Sequence, residues 1–496
     1  MDANSKDGHT AQPFAEWIQR YGNVYRIELP LLGARTVVTV EPHHIKAILA
    51  TKFESFNKGT TFQDQMHSLL GQGVFNSDGD MWKFHRGITR PFFTKERISD
   101  FDIYDRNAER SLQIARTRIE EGHAIDFQDL VSRFTLDSAT EFLFGQNVDS
   151  LSAGIAYPPS VSHKNSSFFT EHSSNRFTEA FRDAQRHADR RMPYGTAWPL
   201  VEFWEDKVVP LRKTIDEFIE PLMKEALRRR EERITQGIKE ADEDHSNVLS
   251  HLVNQTQDPS ILKDELVNLL VAGRDTTASL LTFCVYVLTR HPEIETKLRE
   301  EILTKVGPRQ RPTYEMMREM RYVRAFLNEV LRLYPPVPND IRNTGDSGVV
   351  LPGKNGTETP LYIAPNTNCI YSVLIMQRRE DLWGPDALTF DPNRFLDERL
   401  HKYLTPNPFI FCPFNAGPRI CLGQQFAYHE ATFYLVRLLQ QFRNFRLSPE
   451  TRSPPAWWKN VKGLQSQEQI MPIAHLTMAV RDGLWIHMEE FKHEDS

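Results

Sequence analysis

The sequence is short of the features that mark several protein classes. Only four cysteines occur in 496 residues, Cys284, Cys369, Cys412 and Cys421, with no CxxC pair. That suggests neither a disulfide scaffold nor a thiolate zinc cluster, and it fits a reducing compartment. Lysine and arginine number 60 against 66 aspartates and glutamates, a formal charge of −6. Without a basic surplus, no nucleic-acid partner is expected. No uncharged apolar run approaches the roughly 20 residues of a membrane span, and the polar start MDANSKDGHTAQPFAEWIQRYGNVYRI has no signal-peptide core. Nor does a Pro/Gly/Ser-rich linker divide the chain, so one large domain with a small β-rich lobe is open alongside two domains.

What remains is the ordinary composition of a folded enzyme, 40% hydrophobic and 25% charged. Residues 14–21 read as a short helix, and residues 24–29 and 36–40 as paired strands. Residues 69–79 form a glycine-rich loop without dinucleotide-binding spacing. Residues 103–145 look helical throughout. Residues 147–175 are polar, serine-rich and broken by Pro158-Pro159, as in a surface loop. Helical patterns return at 177–190 and 211–238.

Residues 264–290 (DELVNLLVAGRDTTASLLTFCVYVLTR) read as one helix ended by His291-Pro292. At 1.5 Å per residue it would span about 40 Å and cross a whole domain. Glycine costs a helix interior roughly 1 kcal/mol, so Ala272-Gly273 before Asp275-Thr276 invites a reason. Either something approaches the backbone there, or the helix packs tightly with a threonine bonded back to it. Glu329 and Arg332 are i,i+3 on a helix with apolar neighbours, so the pair needs a further partner if buried. Trp82 and Arg86 share a helix face at i,i+4.

The densest pattern is FNAGPRICLG, residues 414–423, followed by an amphipathic helix over residues 424–442. Cys421 therefore stands near a helix N-terminus, where free N–H groups and the dipole would lower a thiol's pKa. Such a thiolate is a nucleophile or a metal ligand; a buried structural cysteine is the plain alternative. The pattern F-x-x-G-x-R-x-C-x-G resembles the haem-binding loop of the cytochrome P450 monooxygenases. Ala272-Gly273-Arg274-Asp275-Thr276, the Glu329/Arg332 pair with Arg394, and Trp82-x-x-x-Arg86 are similar to further motifs of that family, in family order.

The resemblance implies a mainly α fold with a small β-rich lobe (α+β), in one catalytic domain over residues 1–496. It implies haem b (iron protoporphyrin IX) between the middle helix and the cysteine loop, with Cys421 as the iron's axial ligand. Phe414, Gly417 and Gly423 would shape that loop. Trp82, Arg86, His85, Arg342 and Arg419 would neutralise the two propionates, although Asp340 departs from the family's usual residue near Arg342. Ala272 and Gly273 would let a deformed helix approach the haem. Thr276 would hydrogen-bond the bound oxygen and Asp275 would relay protons. Glu329, Arg332 and Arg394 would be architectural, and Leu484 and Trp485, at the tip of a hairpin around Asp482-Gly483, would reach the substrate cavity.

With 75 residues after Cys421 and no flavin or ferredoxin module, electrons would come from NADPH through a separate NADPH-cytochrome P450 reductase, with cytochrome b5 as a further partner. The implied reaction inserts one oxygen atom from O2 into a C–H bond of a hydrophobic substrate. Residues 413–427 (PFNAGPRICLGQQFA), 176–185 and 198–204 resemble fungal members that hydroxylate alkanes and fatty acids. A long-chain fatty acid or alkane is therefore expected, with a terpenoid or steroid hydroxylase of fungal secondary metabolism as the alternative. An N-terminal anchor, usual in eukaryotic relatives, is not seen. The expected location is the endoplasmic reticulum membrane, cytoplasmic face, if the native protein carries one, and the soluble cytoplasm as given.

Overall fold

The structure is a computed structural model that describes residues 8–10, 12–29, 34–93, 101–236, 247–354 and 359–491. The chain starts with α1 (Gln12–Tyr21), β1 (Val24–Leu29) and β2 (Ala34–Thr39), then runs through α2 (Thr60–Leu70) and α3 (Gly79–Thr89). The helical body follows, with α4 (Phe101–Glu120), α5 (Phe127–Phe144), α6 (Ser173–Asp189), α7 (Val209–Thr235) and α8 (Pro259–Leu288). After α9 (Arg321–Leu333) come β3 (Asn339–Asn343) and β4 (Asn368–Ser372), and finally α10 (Gln424–Gln441), β5 (Phe442–Leu447) and β6 (Trp485–Glu490). The fold is mainly α with a small β lobe.

The 30-residue α8 organises the interior. Asp258 accepts hydrogen bonds from the N–H groups of Ser260 and Ile261, and Pro259 occupies the first turn, so the start is capped and φ is preset. Its residues from Leu262 to Val271 pack into one apolar core with α2, α6 and α7. Residues from Ala278 to Leu288 pack into a second core with α4, α9 and α10. Residues 272–277 belong to neither core. The helix passes through them unbroken, so the deformation expected at Ala272-Gly273 is not found.

Between α2 and α3 the glycine-rich loop is tied to side chains of α8. The N–H groups of Gln72, Val74 and Phe75 donate to Asp264 (2.9 Å), Glu265 (3.0 Å) and Asn268 (2.9 Å). Glycine is required because a Cβ on Gly71 or Gly73 would lie 1.9 Å from Asp264 or 2.3 Å from Asn268. The continuous helix expected over 103–145 is two helices. Gly122, at φ +77, ends the first turn out of α4, and Asp126 caps α5 by accepting from Gln128 and Asp129. The helix expected over 211–238 is α7; residues 237 and 238 lie outside the described residues.

The β lobe is a four-stranded sheet in the order β1-β2-β4-β3, parallel only between β2 and β4. Asp340 and Arg342, two apart on β3, therefore share a face. The turn at Asp482-Gly483 forms, but it does not join a hairpin. The strand before it, Met478–Val480, pairs with Pro472–Ala474, while β6 pairs with Ile125–Asp126 and β5. Among the described residues no helix is long and apolar enough to cross a membrane.

Candidate functional site

A cavity of about 1260 Å³ lies where residues 272–277 of α8 face the loop before α10. Ala272, Gly273 and Thr276 line one side; Phe414, Cys421 and Gly423 line the other. Small residues at 272 and 273 leave the helix backbone open to whatever fills the gap. Most of the remaining wall is apolar, including Phe62, Met66, Leu70, Leu269, Val337 and Leu476.

The cysteine loop is held by its own backbone. Cys421 N–H donates to the Phe414 carbonyl at 3.0 Å, and Ile420 N–H to the Gly417 carbonyl at 3.0 Å. Gly417 is at φ +66, and a Cβ there would lie 1.9 Å from the Leu49 carbonyl oxygen, so no other residue fits. Phe414 packs on Tyr428 of α10 at 5.1 Å between ring centroids. A Cβ on Gly423 would stand 3.9 Å from Cys421 Sγ.

Cys284, Cys369 and Cys412 are buried, whereas Cys421 is accessible from the cavity. Its thiol is not lowered as its position near a helix start suggests. Enclosure pushes it up, against the Gly423 N–H and the Arg86 guanidinium. The first helical residue is Gln424, three positions on, so the dipole acts from a distance. A bound metal would displace the thiol proton outright. No cluster of three or more His, Cys, Asp or Glu side chains able to hold a metal exists among the described residues. A metal at Cys421 must therefore bring its other ligands with it, as iron in a macrocycle does.

Charges gather on one rim. Arg342 Nη1 donates to Asp340 Oδ1 at 2.8 Å, and Lys58 Nζ to the same oxygen at 3.3 Å. Tyr371 and Asn415 donate to Asp340 Oδ2, each at 2.9 Å. Arg419 donates to Asp78 at 2.6 Å and to the Ser77 carbonyl, and its guanidinium lies 4.5 Å from the Trp82 ring centroid. Arg86 donates to the Ile420 carbonyl at 2.6 Å. Burial, with Asp340 opposing, pushes Lys58 down to about 8; burial and Arg342 push Arg419 down to about 10. Against its own burial, Asp340 is held well below the carboxylate range by Arg342 and Lys58.

Among the described residues, four cations, Lys58, Arg86, Arg342 and Arg419, thus face two carboxylates, Asp78 and Asp340, and the buried Nε of Arg419 has no hydrogen-bond partner. The surplus matches a dianion such as the two propionates of haem. The residues present fit the group.

Not every expected residue joins this site. The His85 ring is fully buried with Nδ1 2.8 Å from Glu265 Oε2 of α8, and it is not on the cavity wall. His85 and Arg86 are adjacent on the helix and so do not face the same way; the His85 ring turns to α8. Leu484 and Trp485 are buried in the sheet region, where Leu484 N–H donates to Asp126 and Trp485 Nε1 to the Asp482 carbonyl. The cavity is reached instead by the preceding turn, Ala474 to Thr477.

Asp275 also turns from the cavity. Its Oδ1 accepts from Arg274 at 2.9 Å and its Oδ2 from Gln185 of α6 at 2.6 Å. The Thr276 hydroxyl lines the cavity and donates to the Ala272 carbonyl at 2.7 Å. Glu329, Arg332 and Arg394 meet in the core behind the cysteine loop. Arg332 pairs both its Nε and Nη2 with Glu329 at 2.7 Å, and Arg394 Nε lies 3.5 Å from the same carboxylate.

Sequence reasoning passed over Lys58, Asp78 and Gln185. Lys58 stands 282 residues from Asp340, and no local pattern signals that pairing. Gln185 was hidden in an amphipathic repeat.

Comparison with known proteins agrees with the geometry. Residues 3–470 match the family described as Cytochrome P450. Cytochrome P450 52A4 of Candida maltosa is 37% identical over 444 residues, 88% of this chain and 78% of that protein. Cytochrome P450 52A1 of Candida tropicalis is 36% identical over 86% of the chain and 76% of its own length. Cytochrome P450 monooxygenase himC of Aspergillus japonicus is 35% identical over 88% and 73%. With its cysteine loop, its small-residue helix segment and its cation-rich rim meeting in one cavity, the chain belongs to the cytochrome P450 family and is a haem-dependent monooxygenase supplied with electrons by a redox partner.

Proposed function

We propose that this chain, acting as one catalytic domain over residues 1–496, hydroxylates a long-chain fatty acid or alkane. Haem b is the cofactor of this reading, NADPH-cytochrome P450 reductase the electron source, and cytochrome b5 an accessory donor. The endoplasmic reticulum membrane, cytoplasmic face, is the matching location. The observation that carries the reading is the long, mostly apolar cavity that runs from α2 and the turn at residues 474–477 to Cys421. The terpenoid or steroid alternative is not favoured.

When bound, the haem supplies O2 activation and the oxidising power for C–H hydroxylation. The chain's residues do the rest. Cys421 would ligate through Sγ and donate electron density. Arg86, Arg342, Arg419 and Lys58 would hold the two propionates. Phe414 packs beside the loop and keeps water from the sulfur. Thr276 holds a hydroxyl at the cavity wall that accepts or passes a proton; Asp275, beside it in sequence, is the proton source of this reading, and its carboxylate rests on Arg274 and Gln185. The apolar wall orients the substrate by exclusion, since only its hydrocarbon finds a favourable surface there.

The test is a ligand titration of the holoenzyme, following the Soret band with saturated acids and alkanes from dodecyl to octadecyl. Each buried CH2 contributes about 0.8 kcal/mol, so affinity should climb about fourfold per methylene until the cavity is filled. A high-spin shift with such a series supports the reading. No shift with any acid or alkane in the range contradicts it.

A further inference from the structure

A second set of cations lines the same cavity, apart from the rim that fits the propionates. His187, in the last turn of α6, and Arg190, just past its end, are three positions apart on one face, and both line the wall. Lys207 joins them from the segment before α7. Arg190 and Lys207 are exposed, as are Pro193, Tyr194 and Val201 on the same stretch of wall, so the cavity opens to solvent here. The nearby carboxylates are engaged elsewhere. Glu202 accepts from the buried Arg191 at 3.3 and 2.7 Å, and Asp206 pairs with the same guanidinium. Asp189 lies 3.4 Å from His475 Nδ1. Among the described residues, neither Arg190 nor Lys207 has an ion-pair partner. Arg190 has an ordinary reason to be there, because a cation suits the negative end of a helix dipole. Lys207 has none: it stands two residues before the first residue of α7, at a positive end. Burial, and then Arg186, Arg190 and Lys207, push the His187 imidazole down, with Glu202 opposing. This mouth therefore holds more positive charge than the chain itself neutralises.

We propose that Arg190 and Lys207, with His187 beside them, form a subsite for the carboxylate of a long-chain acid at the mouth of the cavity. The ionised acid, not the alkane, is then the preferred substrate. The proposal rests on the reading of the chain as a hydroxylase of long-chain acids or alkanes, and it chooses between the two. Beyond the mouth the wall is apolar, with Phe62, Met66, Leu269 and Val337. Carrying an ionised carboxylate past those side chains would strip its water without replacing it. The carboxylate therefore stays with the cations while the hydrocarbon enters, and the end that reaches Thr276 and Cys421 is the methyl end. The Arg190 fork can take both carboxylate oxygens in parallel, and Lys207 adds a point charge. Both side chains are exposed, so each contact is weak and screened by salt. Their combined effect is to select one headgroup and one direction of entry.

The experiment is a Soret titration of the holoenzyme with dodecanoate, dodecanol and dodecane, at a pH where the acid is ionised. It is run on the parent, Arg190→Gln, Lys207→Gln and the double variant, each at low and high salt. The parent should bind dodecanoate more tightly than dodecanol. Each single variant should weaken dodecanoate by a factor of up to about five, and the double variant by about tenfold. The preference for acid over alkane should fall by the same factors. Added salt should weaken dodecanoate in the parent and lose that effect in the double variant. Equal affinity for dodecanoate and dodecanol in the parent overturns the subsite, as does an acid affinity unchanged in the double variant. A loss shared equally by acid and alkane overturns it too, because it would report a damaged cavity instead of a lost charge. In each of these cases alkane binding by the parent leaves the wider substrate reading standing. No spectral shift in the parent with dodecanoate or dodecane overturns the subsite, and the same silence across the whole dodecyl to octadecyl range overturns the wider reading with it.

Discussion

Two charge clusters, one fully buried and one on the cavity rim, are built on opposite principles. In the set behind the loop, Glu329 meets Arg332 and Arg394, and the spare donors of both arginines go to the carbonyls of Gln377, Ala387, Trp383 and Asp386. Asp386 adds its carboxylate to Arg394. All three side chains are fully buried, and the chain closes the network by itself. On the cavity rim, Lys58, Arg86, Arg342 and Arg419 face two carboxylates among the described residues, Asp78 and Asp340, and Arg419 Nε has no hydrogen-bond partner among those residues. The first cluster belongs to folding. The second is completed by an anion from outside the chain, and that difference separates architecture from cofactor binding.

The comparison breaks most visibly at Glu329. Glu329→Ala leaves the Arg332 guanidinium buried without a counter-charge and Arg394 with Asp386 alone, a loss of about 3–5 kcal/mol, large against the stability of a domain. Aggregation or haem-free protein is expected, read by soluble yield and thermal unfolding; a stable, fully loaded variant would contradict the assignment. On the rim the effect should fall elsewhere. Arg342→Leu leaves Asp340 with Lys58, Tyr371 and Asn415, so apoprotein unfolding should change little. Haem affinity should drop by about 10- to 100-fold, the worth of one lost charge-assisted bond, measured by haem transfer to a scavenger.

The smallest expected effect is a pH slope. Lys58, lowered from 10.5 to about 8, binds fewer protons in the folded apoprotein than in the unfolded chain between those values. Apoprotein stability should therefore rise with pH across that window. Bound propionates would return Lys58 toward its ordinary value and flatten the slope. Lys58→Met should flatten it in the apoprotein too, as read from thermal unfolding at a series of pH values.

Much of this was readable from the sequence because the relevant signals are local. The i,i+3 spacing of Glu329 and Arg332, the small pair Ala272-Gly273 and the glycine-flanked Cys421 each carry their geometry within a turn or two. Helix ends shifted by a few residues where a cap such as Asp258 lay outside the apolar repeat. The failures share another cause. Asp482-Gly483 announces a turn, yet nothing local says that β6 will choose Ile125–Asp126 and β5 as partners, which buries Leu484 and Trp485. His85 sits next to Arg86 in sequence but on another helix face, where it meets Glu265. The Cys421 thiol follows its enclosure instead of the helix end near it. Lys58 and Gln185 act on residues 282 and 90 positions away. Pairing across such distances is set by packing, which periodicity does not record.

Everything on the rim and along α8 presumes that the group between them is bound through one sulfur. The reduced, CO-bound absorption spectrum of the holoprotein, beside that of Cys421→His, tests this most directly. The account predicts the thiolate–CO band in the parent and its loss in Cys421→His. Persistence of that band in the variant would contradict it.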